Sequence, residues 1–170
     1  MNKINDRAAM IEAAAAKMGK KTFVDDLKKV GTPRLEYQKT CSKVVTLEEA
    51  IRQSGLKDGM TISFHHHFRG GDKVVNMVVA KLAEMGFKNL HIAASSLQDV
   101  HKPLIEHIRN GVVNRLSTSG LRGELANEIS HGLMDEPVVF RSHGDRASAI
   151  KRGDLHIDVA FLGASSCDPL

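Results

Sequence analysis

Short apolar runs alternate with helical patterns from residue 60 to residue 162, and this alternation limits the possible folds more than any other feature. Strands are predicted at Thr61–His67, Asn89–Ala94, Val112–Thr118, Val138–Ser142 and His156–Leu162. The helices between them are predicted at Lys73–Met85, Val100–Arg109, Glu124–Leu133 and Asp145–Lys151, the second of them broken early by Pro103. Strand–helix–strand repeats with short connections form parallel βαβ units. The predicted fold class is therefore α/β, with an open, mostly parallel sheet and helices on both faces.

The first 45 residues differ from the rest and predict a helix followed by an extended arm. Asn5–Lys17 is rich in alanine and favours a helix, whereas the polar and basic stretch after it does not. Thr46 and Glu49 have the spacing of a capping box, which marks the start of the next helix. We therefore divide the chain into an arm, residues 1–45, and an α/β domain, residues 46–170. Because the chain stops in a small-residue loop just after a strand, we expect the domain to be truncated.

Charge and composition favour a small anionic ligand over a nucleic acid or a membrane. The net charge is +4, which favours anionic partners. One tyrosine and no tryptophan leave few platforms on which bases stack, so nucleic acid is not expected. No apolar stretch is long enough to span a membrane, and no signal peptide is recognisable, so we expect a cytoplasmic protein.

Loops at the predicted carboxyl ends of the strands are polar and rich in small residues. In open α/β sheets, ligands bind outside these ends. The first such loop contains Arg69, Gly70 and Gly71; glycines permit close approach of the backbone, and arginine pairs with carboxylates or phosphates. A tight turn with a surface arginine explains the same residues equally well. Later loops suggest that the rim continues, and their candidate anion-binding residues are Gly120, Arg122, Ser142, His143 and Gly144.

Three consecutive histidines, His65 to His67, end the first predicted strand. Two of them would share a face of the strand, but no spaced partners complete a metal site, so we predict no metal and favour the polar lining of a cleft. Histidine transfers protons near neutral pH. The candidate catalytic residues are His65 and His143, although no spacing singles out a catalytic triad.

Taken together, the motifs resemble one family, the α subunits of bacterial citrate lyase, which belong to the CoA-transferase superfamily. The stretches that carry the resemblance are Ser54–His66, Phe68–Asp72, Val74–Met77, Met85–Leu90, Ile105–Val113, Thr118–Gly123, Ile157–Gly163 and Ser166–Asp168. They cover nearly the whole chain beyond the arm. The resemblance implies the open α/β fold of CoA-transferases, usually present as two similar halves. Family members are about three times longer, so it also implies that the second half is absent here.

The resemblance implies a citrate CoA-transferase, a subunit that exchanges acetyl for citryl on a CoA or acyl-carrier thioester. Its substrates are citrate and acetyl-CoA or the carrier thioester, with no tightly bound cofactor. Its implied partners are the β subunit, which cleaves the citryl thioester, and the γ subunit, which is the acyl carrier, in an oligomeric complex. Two alternatives stay open: a non-catalytic module that binds a CoA ester or a phosphate, and a structural part of a multi-subunit complex.

Exchange between citrate and a thioester requires a stabilised oxyanion and an oriented carboxylate. Backbone N–H groups of Gly70, Gly71 and Gly120 are our candidates for the oxyanion. Arg69 and Arg122 are our candidates for the citrate carboxylates. Direct attack by a citrate carboxylate would give an anhydride-like intermediate and would need no nucleophile from the enzyme.

Overall fold

The computed structural model of the chain describes residues 3–19, 44–65 and 73–164. The chain divides into two units, Met1–Thr40 and Cys41–Leu170. The described part of the first unit is one helix, α1 (Lys3–Lys17), followed by Gly19 with a positive φ of 62°. The predicted alanine-rich helix is thereby confirmed. The predicted arm from residue 20 to residue 43 lies outside the described residues.

The second unit is an alternating α/β domain whose elements follow the predicted order. Helix α2 (Leu47–Gln53) begins with the predicted capping box, in which Thr46 Oγ1 accepts from the Glu49 N–H and the Glu49 carboxylate accepts from the Thr46 N–H at 2.9 Å. The remaining elements are β1 (Thr61–His65), α3 (Val74–Glu84), β2 (Leu90–Ala94), α4 (Leu104–Arg109), β3 (Val113–Thr118), α5 (Gly123–Ser130), β4 (Val139–Phe140), α6 (His143–Arg152) and β5 (Val159–Leu162).

All five strands are parallel and lie in the order β4-β3-β2-β1-β5. The chain therefore moves outward from β1 to β4 and then returns to the other side of β1. The carboxyl ends of β1 and β5 flank the point at which the strand order reverses. Open α/β sheets bind their ligands at such a point. This topology places the end of β1, at His65, beside the expected ligand crevice.

One face of the sheet forms the main core with α3, α4 and α5. Ile62, Phe64 and Ile92 point into it and are 2% exposed or less. Phe64 stacks on Phe161 of β5 with ring centroids 5.7 Å apart. Apolar burial of this kind contributes about 25 cal/mol per Å² and accounts for most of the driving force that closes this layer.

The other face of the sheet is polar and packs against α6. Side chains alternate along a strand, so Ala93 points away from the main core, whereas its neighbours Ile92 and Ala94 point into it. Ala93 forms a second, smaller cluster with Ala149 of α6 and with Leu155. Helix α6 thus covers the face opposite α3 and α4, which confirms the prediction of helices on both faces.

Several helices differ from their predicted bounds by one to three residues. The predicted break at Pro103 is confirmed: the segment from Val100 to Arg109 is a 3-10 turn, Asp99–His101, followed by α4. Pro103 has no N–H to donate to the Asp99 carbonyl four residues earlier, so the helix begins again after it. Helix α6 begins at His143, two residues before the prediction. Its start is fixed by Ser142, whose Oγ accepts from the Asp145 N–H at 3.0 Å.

No helix among the described residues is long and apolar enough to cross a membrane.

Candidate functional site

A cleft of about 410 Å³ opens at the carboxyl edge of the sheet, between the ends of β1 and β2 and the first turns of α6. Its volume is within the range of small-molecule sites, roughly 300–1,000 Å³. The cleft is lined by His65, Ser95, His143, Arg146, Ala147 and Ile150. Two other hollows, of about 430 Å³ and 280 Å³, lie at the amino end of β3 and between α4 and α5. Of these three, the cleft alone includes the carboxyl end of β1, which borders the reversal of strand order, and so we treat it as the candidate site.

The two histidines that the sequence singled out line this same cleft. His65 is the last residue of β1 and is exposed. His143 is the first residue of α6, directly after the capping residue Ser142. Between them lies Ser95, which is 2% exposed and whose N–H donates to the Phe64 carbonyl at 3.1 Å. The fold therefore brings together two imidazoles that are 78 residues apart in the chain (143 − 65).

The amino end of α6 presents backbone donors beside the cleft. The first N–H groups of an α-helix have no partner within the helix and carry part of its positive dipole. Gly144 is the second residue of α6, and a Cβ added there would meet no atom within 4 Å. The helix is therefore open to a ligand at Gly144. The role of Ser142, His143 and Gly144 in anion binding stays a prediction.

Arg146 is the residue of this cleft that the sequence reasoning missed. One nitrogen of its guanidinium, Nη2, donates to the hydroxyl of Ser63 at 2.8 Å and to the carbonyl of Ala93 at 2.9 Å. The side chain is half-buried, and burial lowers the pKa of Arg146 below its ordinary value. The capping pattern offered a signal: Ser142 followed by Asp145 three residues on starts the helix at His143 and puts Arg146 in its first turns.

Gly120 and Arg122 lie on the neighbouring loop of the same edge, between β3 and α5, and do not line the cleft. The Leu97 N–H donates to the Gly120 carbonyl at 2.8 Å, and the Arg122 N–H donates to the Leu97 carbonyl at 3.1 Å. The Gly120 N–H also donates to Thr118 Oγ1 at 3.3 Å. That N–H group is thus already engaged within the loop. The Arg122 side chain is exposed and starts α5 as its N-cap residue.

Three predicted residues of the first loop, Arg69, Gly70 and Gly71, lie outside the described residues. The described chain stops at His65 on the cleft and resumes at Lys73, which directly precedes α3. Their predicted role in anion binding stays a prediction. Within the described ranges, no group of three or more histidine, cysteine or acidic side chains has the arrangement of a metal site.

A polar layer on the α6 face of the sheet lies below the cleft and is centred on His91. Its Nδ1 lies 3.3 Å from Thr61 Oγ1, and its Nε2 lies 2.9 Å from Ser117 Oγ. Burial lowers the pKa of His91 to about 4, and the positive charges of Arg115 and Arg146 add to this effect. His91 is therefore a neutral, hydrogen-bonding ring at physiological pH. It holds the strands in place rather than supplying a charge.

The fold and the cleft together define a parallel α/β domain with a cationic, ligand-sized site at the reversal of strand order. Comparison with known proteins identifies the family. Residues 39–170 match the family model for the citrate lyase alpha subunit (CitF), and the chain belongs to this family. The resemblance drawn from the loop motifs is confirmed.

Curated relatives of the chain are citrate lyase alpha chains. The chain is 68% identical to the one from Klebsiella pneumoniae over 123 residues, which are 72% of this chain and 24% of that relative. It is 66% identical to the one from Haemophilus influenzae over 123 residues, or 72% of this chain and 25% of the relative. It is 60% identical to the Escherichia coli chain over 144 residues, or 81% of this chain and 28% of the relative. The chain thus spans about a quarter of the length of these relatives.

A solved structure has a similar fold. It is a crystal structure, in complex with citrate, of a protein from Streptococcus mutans assigned as the alpha subunit of citrate lyase. The TM-score is 0.74 and the sequence identity is 49%. The similarity covers 85% of this chain and 30% of that one. The α/β fold predicted from the sequence is confirmed by this similarity.

Proposed function

We propose that this chain supplies the citrate-binding part of a citrate CoA-transferase, the alpha component of citrate lyase. The carrying observation is the cleft at the end of β1, where His65, His143 and Arg146 meet and where none of the described lining residues is acidic. A site of this charge suits a carboxylate ligand. The family membership and the citrate complex of the Streptococcus mutans relative support the same ligand.

The reaction exchanges acetyl for citryl on a CoA or acyl-carrier thioester. A citrate carboxylate oxygen attacks the carbonyl carbon of the acetyl thioester; a C–O bond forms, the C–S bond breaks, and the thiolate leaves. The thiolate then attacks the citryl carbonyl of the mixed anhydride and releases acetate. Both steps place negative charge on a carbonyl oxygen, so they need aligned N–H donors and no nucleophile from the protein.

The described residues include a candidate donor for the oxyanion and candidate groups for proton transfer. The N–H group of Gly144 at the start of α6 is the oxyanion donor that we assign here, since the Gly120 N–H is engaged with Thr118. His65 and His143 are the groups that we assign to hold a proton near the departing sulphur. Acetyl-CoA or the acyl-carrier thioester is then a co-substrate that binds only for the reaction. Citrate lyase β and γ subunits are the protein partners that this function requires.

The test compares this chain with a full-length chimera, in which its residues 39–170 replace the matching stretch of the Klebsiella pneumoniae alpha chain. Acetyl-CoA and labelled citrate are supplied, and labelled citryl-CoA is followed by mass spectrometry. We expect product from the chimera and none from the 170-residue chain, because the relatives are about three times longer. Binding of citrate without any product from the chimera would contradict the transferase and favour a binding module.

Variants then assign the residues. His143→Gln in the chimera is expected to slow the transfer on the order of a hundredfold, the usual contribution of a general acid–base group. His131→Gln is the matched control, because His131 is exposed at the far end of α5 and does not line the cleft. Arg122→Lys tests the neighbouring loop, and an unchanged transfer rate would remove Arg122 from a role in citrate binding.

A further inference from the structure

Arg146 has no carboxylate partner among the described residues, unlike Arg141 and Arg152 nearby. On the same helix, Arg152 lies 3.3 Å from the Asp145 carboxylate and 2.8 Å from that of Asp154. Arg141 lies 3.5 Å from the other oxygen of Asp145. For Arg146, no described acid lies within salt-bridge distance. Both of its hydrogen-bond acceptors, the Ser63 hydroxyl and the Ala93 carbonyl, are neutral.

Part of the guanidinium is not used by the described residues. A guanidinium has five N–H groups in a planar fork, and both bonds to Ser63 and Ala93 come from Nη2. The side chain is therefore fixed by one nitrogen, while its Nε and Nη1 groups are not spent on these acceptors. Each of these two nitrogens can donate a charge-assisted hydrogen bond to a carboxylate oxygen.

The surroundings favour an anion at this edge. Arg146 lines the cleft together with two imidazoles, and no acid is among the lining residues that the structure describes. Its half-burial removes water from the cation, and the lowered pKa of Arg146 reflects that loss. A bound carboxylate would restore the missing interaction.

We propose that Arg146 anchors one carboxylate group of a di- or tricarboxylate in the cleft, and that Ser63 is the positioning residue that holds its guanidinium. The inference rests on the proposed function for the identity of the ligand. It differs from the sequence prediction, which gave this role to Arg69 and Arg122. It also gives a function to the Ser63 hydroxyl, a part-buried polar group between the sheet and α6.

The test measures citrate and acetyl-CoA binding separately, by calorimetry on the full-length chimera. Arg146→Gln removes the cation but keeps a donor for Ser63 and Ala93. Its citrate Kd is expected to rise about tenfold or more, as for loss of a charge-assisted hydrogen bond. Arg146→Lys keeps the charge and loses the fork, so an intermediate rise is expected. Arg152→Gln, at the other end of α6, is the charge-matched control and should leave the citrate Kd unchanged.

Acetyl-CoA binding separates an anchor from a purely structural role. If Arg146 is an anchor, its substitution should weaken the binding of citrate alone, whereas a damaged fold would weaken the binding of both citrate and acetyl-CoA. Ser63→Ala provides a second route if Arg146→Gln does not fold, since it keeps the arginine and removes one of its two acceptors. The expected rise of its citrate Kd is about threefold, in keeping with the modest net value of one hydrogen bond.

The outcomes distinguish the anchor from the transferase. A citrate Kd for Arg146→Gln within twofold of the parent chimera would overturn the anchor and leave the transferase standing. Citrate binding that is lost in Arg146→Gln, in a chimera that never forms citryl-CoA, would support the anchor and overturn the transferase. Parallel loss of citrate and acetyl-CoA, or a folded parent chimera that binds no citrate, would overturn the anchor.

Discussion

The Nη2 atom of Arg146 lies 2.8 Å from the hydroxyl oxygen of Ser63, a residue 83 positions earlier in the chain. This bond joins the first turns of α6 to β1 close to the point where the strand order reverses. The same nitrogen bonds to the Ala93 carbonyl, so a single side chain fastens the helix to two adjacent strands. The position of the α6 amino end, with His143 and Gly144, therefore depends on the sheet below it.

Replacing Ser63 by alanine should destabilise the domain. The substitution removes the hydroxyl acceptor of Arg146 in a part-buried contact and leaves the guanidinium with the Ala93 carbonyl alone. We expect the free energy of unfolding in urea to fall by about 0.5–1.5 kcal/mol, the net value of one such hydrogen bond. Ser148→Ala is the control, because Ser148 is exposed on the same helix and its loss should not destabilise. If Ser63→Ala and Ser148→Ala changed the free energy of unfolding equally, the hydrogen bond between Ser63 and Arg146 would not stabilise the domain.

Replacing Gly144 by alanine should separate stability from binding. Gly144 lies in the first turn of α6, its φ is not positive, and a Cβ there meets nothing within 4 Å. Alanine should therefore raise the free energy of unfolding by up to about 0.5–1 kcal/mol through its helix propensity. If the N–H groups of this turn receive an anion, the added methyl group should weaken citrate binding by the chimera. A variant that is more stable and binds citrate as before would remove Gly144 from the site.

Stability should decline in acid through His91. Its folded pKa of about 4 is lower than the ordinary 6.5, so between these values the unfolded chain binds a proton that the folded chain does not. The contribution of His91 to the free energy of unfolding is fully present above pH 6.5 and declines as the pH falls toward 4. The groups that face the ring, Thr61, Ser117, Arg115 and Arg146, include no acid that would oppose this trend.

The measurement is the free energy of unfolding between pH 7 and pH 4.5, compared between the parent chain and His91→Gln. Because the ring is only half-buried, solvent screening reduces the effect. Between pH 7 and pH 4.5 the free energy of unfolding should fall by about 1–2 kcal/mol more in the parent chain than in His91→Gln. Burial also lowers the pKa of His107, so the variant should keep part of the acid sensitivity. An identical dependence on pH in the two proteins would show that the pKa of His91 is the same in the folded and the unfolded chain.

The order and type of the elements in the α/β domain were predictable because each depends on local pattern. The capping box of Thr46 and Glu49, the apolar spacing of α3, and the polar–apolar alternation of β1 each act within a few residues. The break at Pro103 was predicted for the same reason. The start of α6 was missed although its cap, Ser142, is also a local signal, and with it Arg146 was overlooked.

The strand order and the grouping of the site residues were not predictable from local pattern. Ser63, Ala93 and Arg146 meet only because β5 returns to the other side of β1 and brings α6 across the second face. His65 and His143 were chosen by residue type, and the long-range pairing of strands places them in one cleft. Gly120 and Arg122 share the sheet edge with them but belong to the next loop. Contacts between residues so far apart in sequence are set by topology, which no short motif encodes.

Replacing Gly123 by alanine should be the most damaging of the glycine substitutions proposed here. Gly123 has a φ of 72°, and a Cβ built on it would lie 1.7 Å from Asp99 Oδ1 and 3.1 Å from the Asp99 Cα. The substitution thus combines left-handed strain with a collision at the contact between α5 and the 3-10 turn. We expect the free energy of unfolding to fall by about 2–3 kcal/mol.

Two comparisons separate the strain from the collision. Gly132→Ala places alanine at a φ of 90° with no atom within 4 Å, so it should show the strain alone, about 1 kcal/mol. Adding Asp99→Ala to Gly123→Ala removes the colliding carboxylate and should recover part of the loss. A double-mutant cycle in urea measures this coupling. If Asp99→Ala recovers nothing, the backbone of the turn rather than the carboxylate resists the new side chain.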